Sequence, residues 1–132
     1  MNTKNYAVTS SLEDYLEAIY FLSLKASEVR VTDVAINLNI SKPSVNKAIN
    51  ILKEKGYVEH EKYGSLSLTE SGEKIAAEIA FRHHTLKNFL HDILGVEDSI
   101  AEEEACSIEH HMSLDTIQKI ASLIEKLGVE ND

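Results

Sequence analysis

The sequence has one cysteine, one proline, five glycines and no tryptophan among its 132 residues. One cysteine excludes an internal disulfide bond and favours a protein of the reducing cytoplasm. Few prolines and glycines in a chain that is 43% hydrophobic argue against disorder and against a loop-rich β fold. The sequence also lacks a long apolar run and a basic segment followed by an apolar one, so we expect neither a membrane span nor a signal peptide.

The net charge of −9 is distributed unevenly along the chain. Residues 1–72 carry 8 basic and 9 acidic side chains, whereas residues 73–132 carry 5 basic and 13 acidic side chains. Within the first part, residues 29–62 carry 6 basic and 4 acidic side chains, which is a net charge of +2. A basic segment suits a nucleic-acid partner and an acidic half suits bound cations, although acidic surfaces are common without either.

The hydrophobic periodicity predicts a mainly α protein in which one short hairpin interrupts a series of helices. Polar N-caps, with Thr32, Ser41, Thr69 and Ser113 among them, and glycine stops set the predicted limits of the helices. The expected helices cover about residues 10–24, 32–38, 41–55, 70–94, 98–111 and 113–127. Alternating side chains over residues 58–68, with Gly64 between the two runs, predict a two-stranded hairpin.

The order helix, turn, helix, hairpin is typical of a winged helix-turn-helix domain, which we predict for residues 1–72. Its third helix is expected to enter the major groove of double-stranded DNA. The predicted DNA-binding residues lie on this helix and at the hairpin tip: Ser41, Lys42, Pro43, Ser44, Asn46, Lys47, Asn50, Lys62 and Tyr63. A protein-interaction module is the alternative, in which Lys53 and Lys55 only complement the C-terminus of that helix.

The run from Cys106 to His110 places a thiol, a carboxylate and an imidazole at positions i, i+3 and i+4. On a helix these side chains share one face, and their sulfur, oxygen and nitrogen atoms are ligands for transition metals. Two further helical segments add candidates, which gives six predicted metal ligands: Asp14, Glu17, His83, Cys106, Glu109 and His110.

Each candidate ligand also has an ordinary structural interpretation. Asp14 and Glu17 suit a solvated acidic face, and a lone cysteine is most often a small buried hydrophobic residue. Of the adjacent pair His83 and His84, helical phase favours His83 as the inward residue, on the side of the helix opposite Lys87. Six such residues in three helices, next to a predicted DNA-binding domain, favour a metal-dependent transcriptional switch.

Several runs of this sequence resemble the diphtheria-toxin-repressor family of metal-dependent regulators, in its short, two-domain manganese branch. The resemblance covers roughly residues 10–127. It rests on the runs LEDYLEAIY at 12–20, KPSV at 42–45, LSLTESG at 66–72, FRH at 81–83 and CSIEHHMS at 106–113. The first and last runs are the specific ones, whereas the others are common in winged-helix proteins.

The resemblance implies an N-terminal winged helix-turn-helix domain followed by an all-helical metal-binding and dimerisation domain, here residues 73–132. It implies Mn²⁺ or Fe²⁺ as cofactor, held by the six candidate ligands. Asp14 and Glu17 are similar to the manganese branch, whereas Cys106 is similar to the iron branch. The iron branch builds a second metal site with a carboxylate and a histidine at positions that are Lys87 and Glu102 here, so we do not expect that second site.

The resulting hypothesis is a cytoplasmic, homodimeric repressor, not an enzyme, that controls metal homeostasis genes. The expected dimer face, which alternatively forms the core within one chain, comprises Leu86, Phe89, Leu90, Ile93, Ile117, Ile120 and Ile124. One alternative function is a winged-helix regulator that responds to an organic ligand, with a structural metal or none. A metal-dependent hydrolase is another, although six ligands would fill the coordination sphere and the sequence offers no nucleophile or oxyanion loop.

Overall fold

The computed structural model describes residues 10–61 and 64–128 and divides into two compact units, Met1–Ala77 and Glu78–Asp132. The predicted domain limits, 1–72 and 73–132, stay a prediction. Helices predominate in both units, and the described strands form one small sheet in the first unit. The predicted fold class, mainly α with a winged helix-turn-helix followed by a helical domain, is confirmed.

The first unit holds three helices and a three-stranded antiparallel sheet. The helices are α1 (Ser10–Lys25), α2 (Val31–Leu38) and α3 (Lys42–Glu54), and the strands are β1 (Val29–Arg30), β2 (Val58–His60) and β3 (Ser65–Leu68). The strand order is β1-β3-β2, so the predicted hairpin gains a short third strand. Val29 pairs with Leu66, and Val58 pairs with Leu68.

Local sequence explains where these elements begin. Ser41 caps α3, since its hydroxyl oxygen accepts a hydrogen bond from the Ser44 N–H, and Pro43 occupies the first turn. The expectation that Thr32 caps α2 is wrong, because α2 already begins at Val31. The Arg30 backbone N–H donates to the Asp33 carboxylate at 2.9 Å, and this contact stabilises the start of the helix instead.

One apolar core fixes the orientation of α3 in the first unit. Val45, Ala48, Ile49 and Leu52 recur at helical spacing and are buried, together with residues of α1 such as Ile19. The opposite face of α3 is consequently exposed along its length. Packing therefore decides which side of α3 is available to a partner.

The second unit is helical in all its described elements. Helix α4 (Glu70–Asn88) begins in the first unit, a π-helical turn follows at Phe89–Ile93, and α5 (Asp98–Ile108), a 3₁₀ turn (Glu109–His111) and α6 (Leu114–Lys126) complete it. The predicted helical segments to about Leu94 and to His111 are both helical to within a residue of these ends, but the first finishes in the π turn and the second in the 3₁₀ turn. None of the described helices is long and apolar enough to span a membrane.

Leu86, Ala105 and Ile117 form the buried cluster of the second unit, against which Leu90 and Ile120 pack. Several residues of the expected dimer face are thus part of the core within one chain. Leu94, Leu123 and Leu127 are large apolar side chains of the same unit that stay exposed.

Candidate metal centre and nucleic-acid interface

Three predicted ligands of the second unit come together in space. One donor atom each of His83, Cys106 and Glu109 lies within 4.8 Å of the other two. His83 comes from α4, Cys106 from the last turn of α5, and Glu109 from the 3₁₀ turn that follows. Residues three apart still share a face when the helix tightens to three residues per turn, so the changed end of α5 keeps Cys106 and Glu109 together.

Glu109 is the buried member of this cluster, with a side chain that is 0% exposed. Its Oε1 lies 2.8 Å from His83 Nδ1. Its Oε2 has no hydrogen-bond partner in the described part of the chain, and His110 Nε2 lies 3.4 Å from it. Burying a carboxylate oxygen without a hydrogen bond is costly, so this position suits a cation.

Arg82 positions the backbone of Glu109 and was not among the predicted site residues. Its guanidinium donates to the Glu109 carbonyl oxygen at 3.4 Å and forms an ion pair with Glu78 one turn earlier on α4. An arginine beside a predicted ligand was visible in the sequence, but its contact with a residue 27 positions later depends on the tertiary fold.

The hydrogen bond that His83 donates to the buried Glu109 carboxylate raises the pKa of His83 from 6.5 to about 9, although desolvation opposes the shift. Glu102 contributes a second hydrogen bond in the same direction. The metal-free centre therefore carries a proton on the imidazole at neutral pH. A metal that binds to His83 must displace that proton, which couples its affinity to pH.

The second nitrogen of His83 contacts Glu102 on α5, since Nε2 lies 2.9 Å from Glu102 Oε2. Lys87 lies 3.2 Å from the other oxygen of Glu102 and 3.5 Å from Asp98. The expectation that Lys87 lies on the side of α4 opposite His83 is wrong, because both side chains contact Glu102, as residues at i and i+4 do.

The pKa values of Glu102 and Lys87 are both shifted in the direction that favours an ion pair between them. Desolvation raises the pKa of Glu102, but His83 and Lys87 outweigh it, and the net effect lowers the pKa. The hydrogen bond with Glu102 raises the pKa of Lys87. Glu102 and Lys87 thus form an ion pair that reaches from the surface to the buried edge of the candidate centre.

Asp14 and Glu17 lie one turn apart on α1 in the first unit. Asp14 is partly buried, and Glu17 is only 8% exposed. Carboxylates are rarely buried unless a partner or a metal compensates their charge. The sequence pattern alone did not distinguish Glu17 from a solvated acidic residue.

The candidate DNA face of α3 is exposed as predicted. Seven candidates in the first turns of this helix are exposed, whereas the residues between them belong to the core: Ser41, Lys42, Pro43, Ser44, Asn46, Lys47 and Asn50. Lys62 and Tyr63, predicted for the hairpin tip, lie outside the described residues. The described surface therefore offers two lysines and two asparagines on one helix face, which are residue types that contact phosphates and base edges.

Two family models match almost the whole chain. The model described as "Iron dependent repressor, N-terminal DNA binding domain" matches residues 7–66. The model described as "Iron dependent repressor, metal binding and dimerisation domain" matches residues 69–131.

Individual proteins agree with these matches. The chain is 38% identical over 117 residues to the HTH-type transcriptional regulator MntR of Shouchella clausii, which covers 89% of this chain and 81% of the relative. It superposes on the crystal structure of T. acidophilum IdeR with a TM-score of 0.76 and 30% identity, over 98% of this chain and 56% of that one. A manganese-dependent transcriptional repressor in complex with manganese gives a TM-score of 0.75 and 29% identity, over 90% and 53%. The chain thus spans about half the length of these two solved chains.

Proposed function

The chain belongs to the iron-dependent repressor family, and from this premise we propose that it is a DNA-binding transcriptional repressor that responds to Mn²⁺ or Fe²⁺. Its target genes are those of metal homeostasis, and it works as a cytoplasmic homodimer. One observation carries the metal dependence: the two buried carboxylates in the described part of the chain, Glu17 and Glu109, are both candidate ligands, one in each unit.

We assign the metal to the six candidate ligands. The contacts of His83, Cys106 and Glu109 support the second-unit part of the set, together with the short distance from His110 to Glu109. The burial of Glu17 one turn after Asp14 supports the contribution of the first unit. Oxygen, nitrogen and sulfur donors together fit a divalent first-row transition metal.

When bound, a divalent cation supplies the positive charge that the acidic second half of the chain lacks. Oε2 of Glu109 is available to bind the cation, because Oε1 already contacts His83 whereas Oε2 has no hydrogen-bond partner among the described residues. Arg82 donates to the Glu109 backbone carbonyl and His83 contacts its carboxylate, so both parts of Glu109 are held in place before a cation binds. The chain thus meets the cation with a preformed half-site.

The exposed face of α3 contacts the DNA. Lys42 and Lys47 attract phosphates or guanine acceptors, and Asn46 and Asn50 suit adenine edges. The Ser41 cap holds the N-terminus of α3, whose backbone N–H groups attract a phosphate. In a homodimer two such helices read half-sites about one helical turn apart.

Ligands from both units explain how metal controls DNA binding. The repressor shifts toward its DNA-binding arrangement if that arrangement brings Asp14 and Glu17 to the second-unit ligands, since a ligand stabilises the state that it binds more tightly. Without a cation the same carboxylates repel one another. The donor types favour different metals, because the Cys106 thiolate favours iron whereas the carboxylates suit manganese.

The test begins by selecting, from a random pool, the DNA duplexes that the protein binds. One selection uses protein loaded with Mn²⁺, and a parallel one uses protein loaded with Fe²⁺ under anaerobic conditions. Fluorescence anisotropy then measures binding of the selected duplex while each metal is titrated against a chelated sample. A scrambled duplex is the matched control. We expect tight binding of the selected duplex only with metal, and the metal that acts at the lower free concentration is the better candidate for the cell.

Two results would overturn the proposal. The protein treated with chelator could bind the selected duplex as tightly as the metal-loaded protein. The metal would then have a structural role or none, and a winged-helix regulator that responds to an organic ligand would be the better interpretation. If no salt-dependent DNA binding occurs with either metal, the winged helix serves a protein partner instead.

A further inference from the structure

Both ring nitrogens of His83 face a carboxylate, and the two carboxylates differ. Glu109, at 2.8 Å from Nδ1, is fully buried and lies in the donor cluster with Cys106. Glu102, at 2.9 Å from Nε2, has a side chain that is 52% exposed and lies outside that cluster. The Nδ1 side of the ring therefore faces the candidate centre, and the Nε2 side faces the carboxylate of Glu102.

Glu102 is itself held by two cationic groups. Its Oε2 contacts His83 and its Oε1 lies 3.2 Å from Lys87, which in turn lies 3.5 Å from Asp98. His83 and Lys87 are one turn apart on α4, and Asp98 and Glu102 are one turn apart on α5. The four side chains thus join the two helices directly behind the candidate ligand.

We propose that Glu102 is a positioning residue for the metal ligand His83, and that Lys87 holds Glu102 in this role. By accepting a hydrogen bond from Nε2–H, Glu102 keeps a proton on that nitrogen and leaves Nδ1 as the ligand atom. A carboxylate on the far nitrogen also fixes the ring orientation and increases the basicity of the ligand. This assignment rests on the proposed metal centre and specifies which nitrogen of His83 serves it.

The contact with Lys87 explains why Glu102 acts as an anchor rather than as a ligand. Both oxygens of Glu102 lie within 3.2 Å of a cationic partner, whereas Oε2 of Glu109 has no hydrogen-bond partner among the described residues and lies 3.4 Å from His110, which is itself a candidate ligand. Moving Glu102 to a metal would break its pair with Lys87 and free the His83 ring. Charge and geometry therefore divide the two glutamates into one ligand and one anchor.

The experiment compares Glu102→Ala, Glu102→Gln and Lys87→Met with Glu103→Gln, which removes one negative charge from the neighbouring exposed position of α5. Zn²⁺ affinity and stoichiometry are measured by competition with a chromophoric chelator. The protonation of the two His83 nitrogens is read from ¹⁵N-edited NMR spectra of the Zn²⁺-loaded protein, which is diamagnetic. Circular dichroism checks that each variant is folded.

We expect Glu102→Ala to weaken metal binding by roughly 10–100-fold at unchanged stoichiometry. Glu102→Gln retains an oxygen that accepts from Nε2–H and is expected to recover part of that loss, and Lys87→Met is expected to cause the smallest loss of the three. Glu103→Gln is expected to bind like the wild type. In the wild-type spectrum, Nε2 carries the proton and Nδ1 carries the metal.

Different results would overturn the positioning role of Glu102 and the proposed metal centre. Wild-type affinity in Glu102→Ala, or a metal on Nε2, refutes the positioning role while the metal centre stands. Loss of one bound metal per chain in Glu102→Ala shows that Glu102 is a ligand and likewise refutes the role. A wild-type protein that binds no metal refutes the centre itself, and the assignment falls with it.

Discussion

The two units of the chain each bury a carboxylate, but their apolar cores differ in extent. The first unit packs apolar residues from α1, α2, α3 and the sheet into one continuous core. The second unit has a smaller apolar cluster and buries Glu109 completely, with one carboxylate oxygen lacking a hydrogen-bond partner among the described residues. The larger apolar core is thus the main source of stability in the first unit, whereas the second unit has a buried carboxylate oxygen whose cost a cation can remove.

The strongest test of this comparison is Glu109→Gln. We expect metal affinity to fall by about 100-fold or more, because a charged ligand is lost from the buried position. The melting temperature of the metal-free protein is expected to fall at neutral pH, since protonated His83 loses the buried carboxylate that pairs with it. Calorimetric titration and thermal denaturation with and without Mn²⁺ measure both effects.

Glu104→Gln is the matched control, because it makes the same substitution on exposed α5 surface. It is expected to retain the increase in melting temperature that Mn²⁺ produces in the wild type. A normal Mn²⁺-induced increase in Glu109→Gln would contradict the role of Glu109. An unchanged melting temperature of its metal-free form would instead show that the pair with His83 does not stabilise the fold.

The first unit is most sensitive at Gly72, in the first turn of α4. A Cβ atom there would lie 2.0 Å from the Tyr57 carbonyl oxygen, so backbone has to move to admit it. We expect Gly72→Ala to destabilise the first unit by about 1–3 kcal/mol, in line with other overpacked sites. Denaturant unfolding monitored by residue-specific NMR signals separates this loss from any effect on the second unit.

Gly95→Ala is the comparison in the second unit. Gly95 has a φ of +76° but nothing within 4 Å of an added Cβ, so its substitution costs backbone strain without a clash. The loss is expected to be smaller than in Gly72→Ala and confined to signals of the second unit. Equal losses at both positions would mean that the tight contact with Tyr57 relaxes easily.

Protonation of His83 gives the metal-free second unit a dependence on pH. The folded pKa of about 9 lies above the ordinary value of 6.5, so the protonated form stabilises the fold. The contribution is complete below pH 6.5 and is lost as pH rises through about 9. We expect the melting temperature of the metal-free protein to fall across this window.

His83→Gln is expected to flatten the decline, whereas His84→Gln, which alters the neighbouring imidazole, is expected to keep it. A decline that persists in full in His83→Gln would assign the titration to another group. An NMR titration of the His83 ring tests the pKa directly.

Capping chemistry and hydrophobic spacing predicted most of the element limits. Ser41 and Ser113 accept the expected backbone hydrogen bonds, and the buried positions of α3 follow its apolar stripe. The start of α2 was mispredicted because the Asp33 carboxylate stabilises it through a backbone N–H, which leaves no mark on the N-cap residue itself. The change from α-helix to 3₁₀ turn after Ile108 was not predicted, because helical turns of 3.6 and 3.0 residues are hard to distinguish over three positions.

In the candidate site, too, helical spacing was predictable from the sequence, whereas the contacts between helices were not. The spacing of Cys106 and Glu109 predicted that they would share a face, and the structure brings His83 to them. The resemblance singled out Glu102 only as a position that lacks the expected histidine. Helical spacing did not separate it from Glu103 and Glu104, and its contacts with His83 and Lys87 depend on the tertiary fold. The pair between Lys87 and Glu102 also escaped the prediction, since the helical phase of Lys87 was assigned to the wrong side.

The smallest effect is expected in the first unit, on DNA binding rather than on metal. Lys47→Ala removes one exposed charge from the face of α3 that we assign to DNA, so operator affinity should fall and the salt dependence of binding should decrease by about one phosphate contact. Lys55→Ala removes the same charge at the C-cap of α3 and should change both quantities less. Anisotropy titrations of the metal-loaded variants over a range of salt concentrations measure affinity and slope together. Equal slopes for the two variants would mean that α3 meets the DNA with a different face.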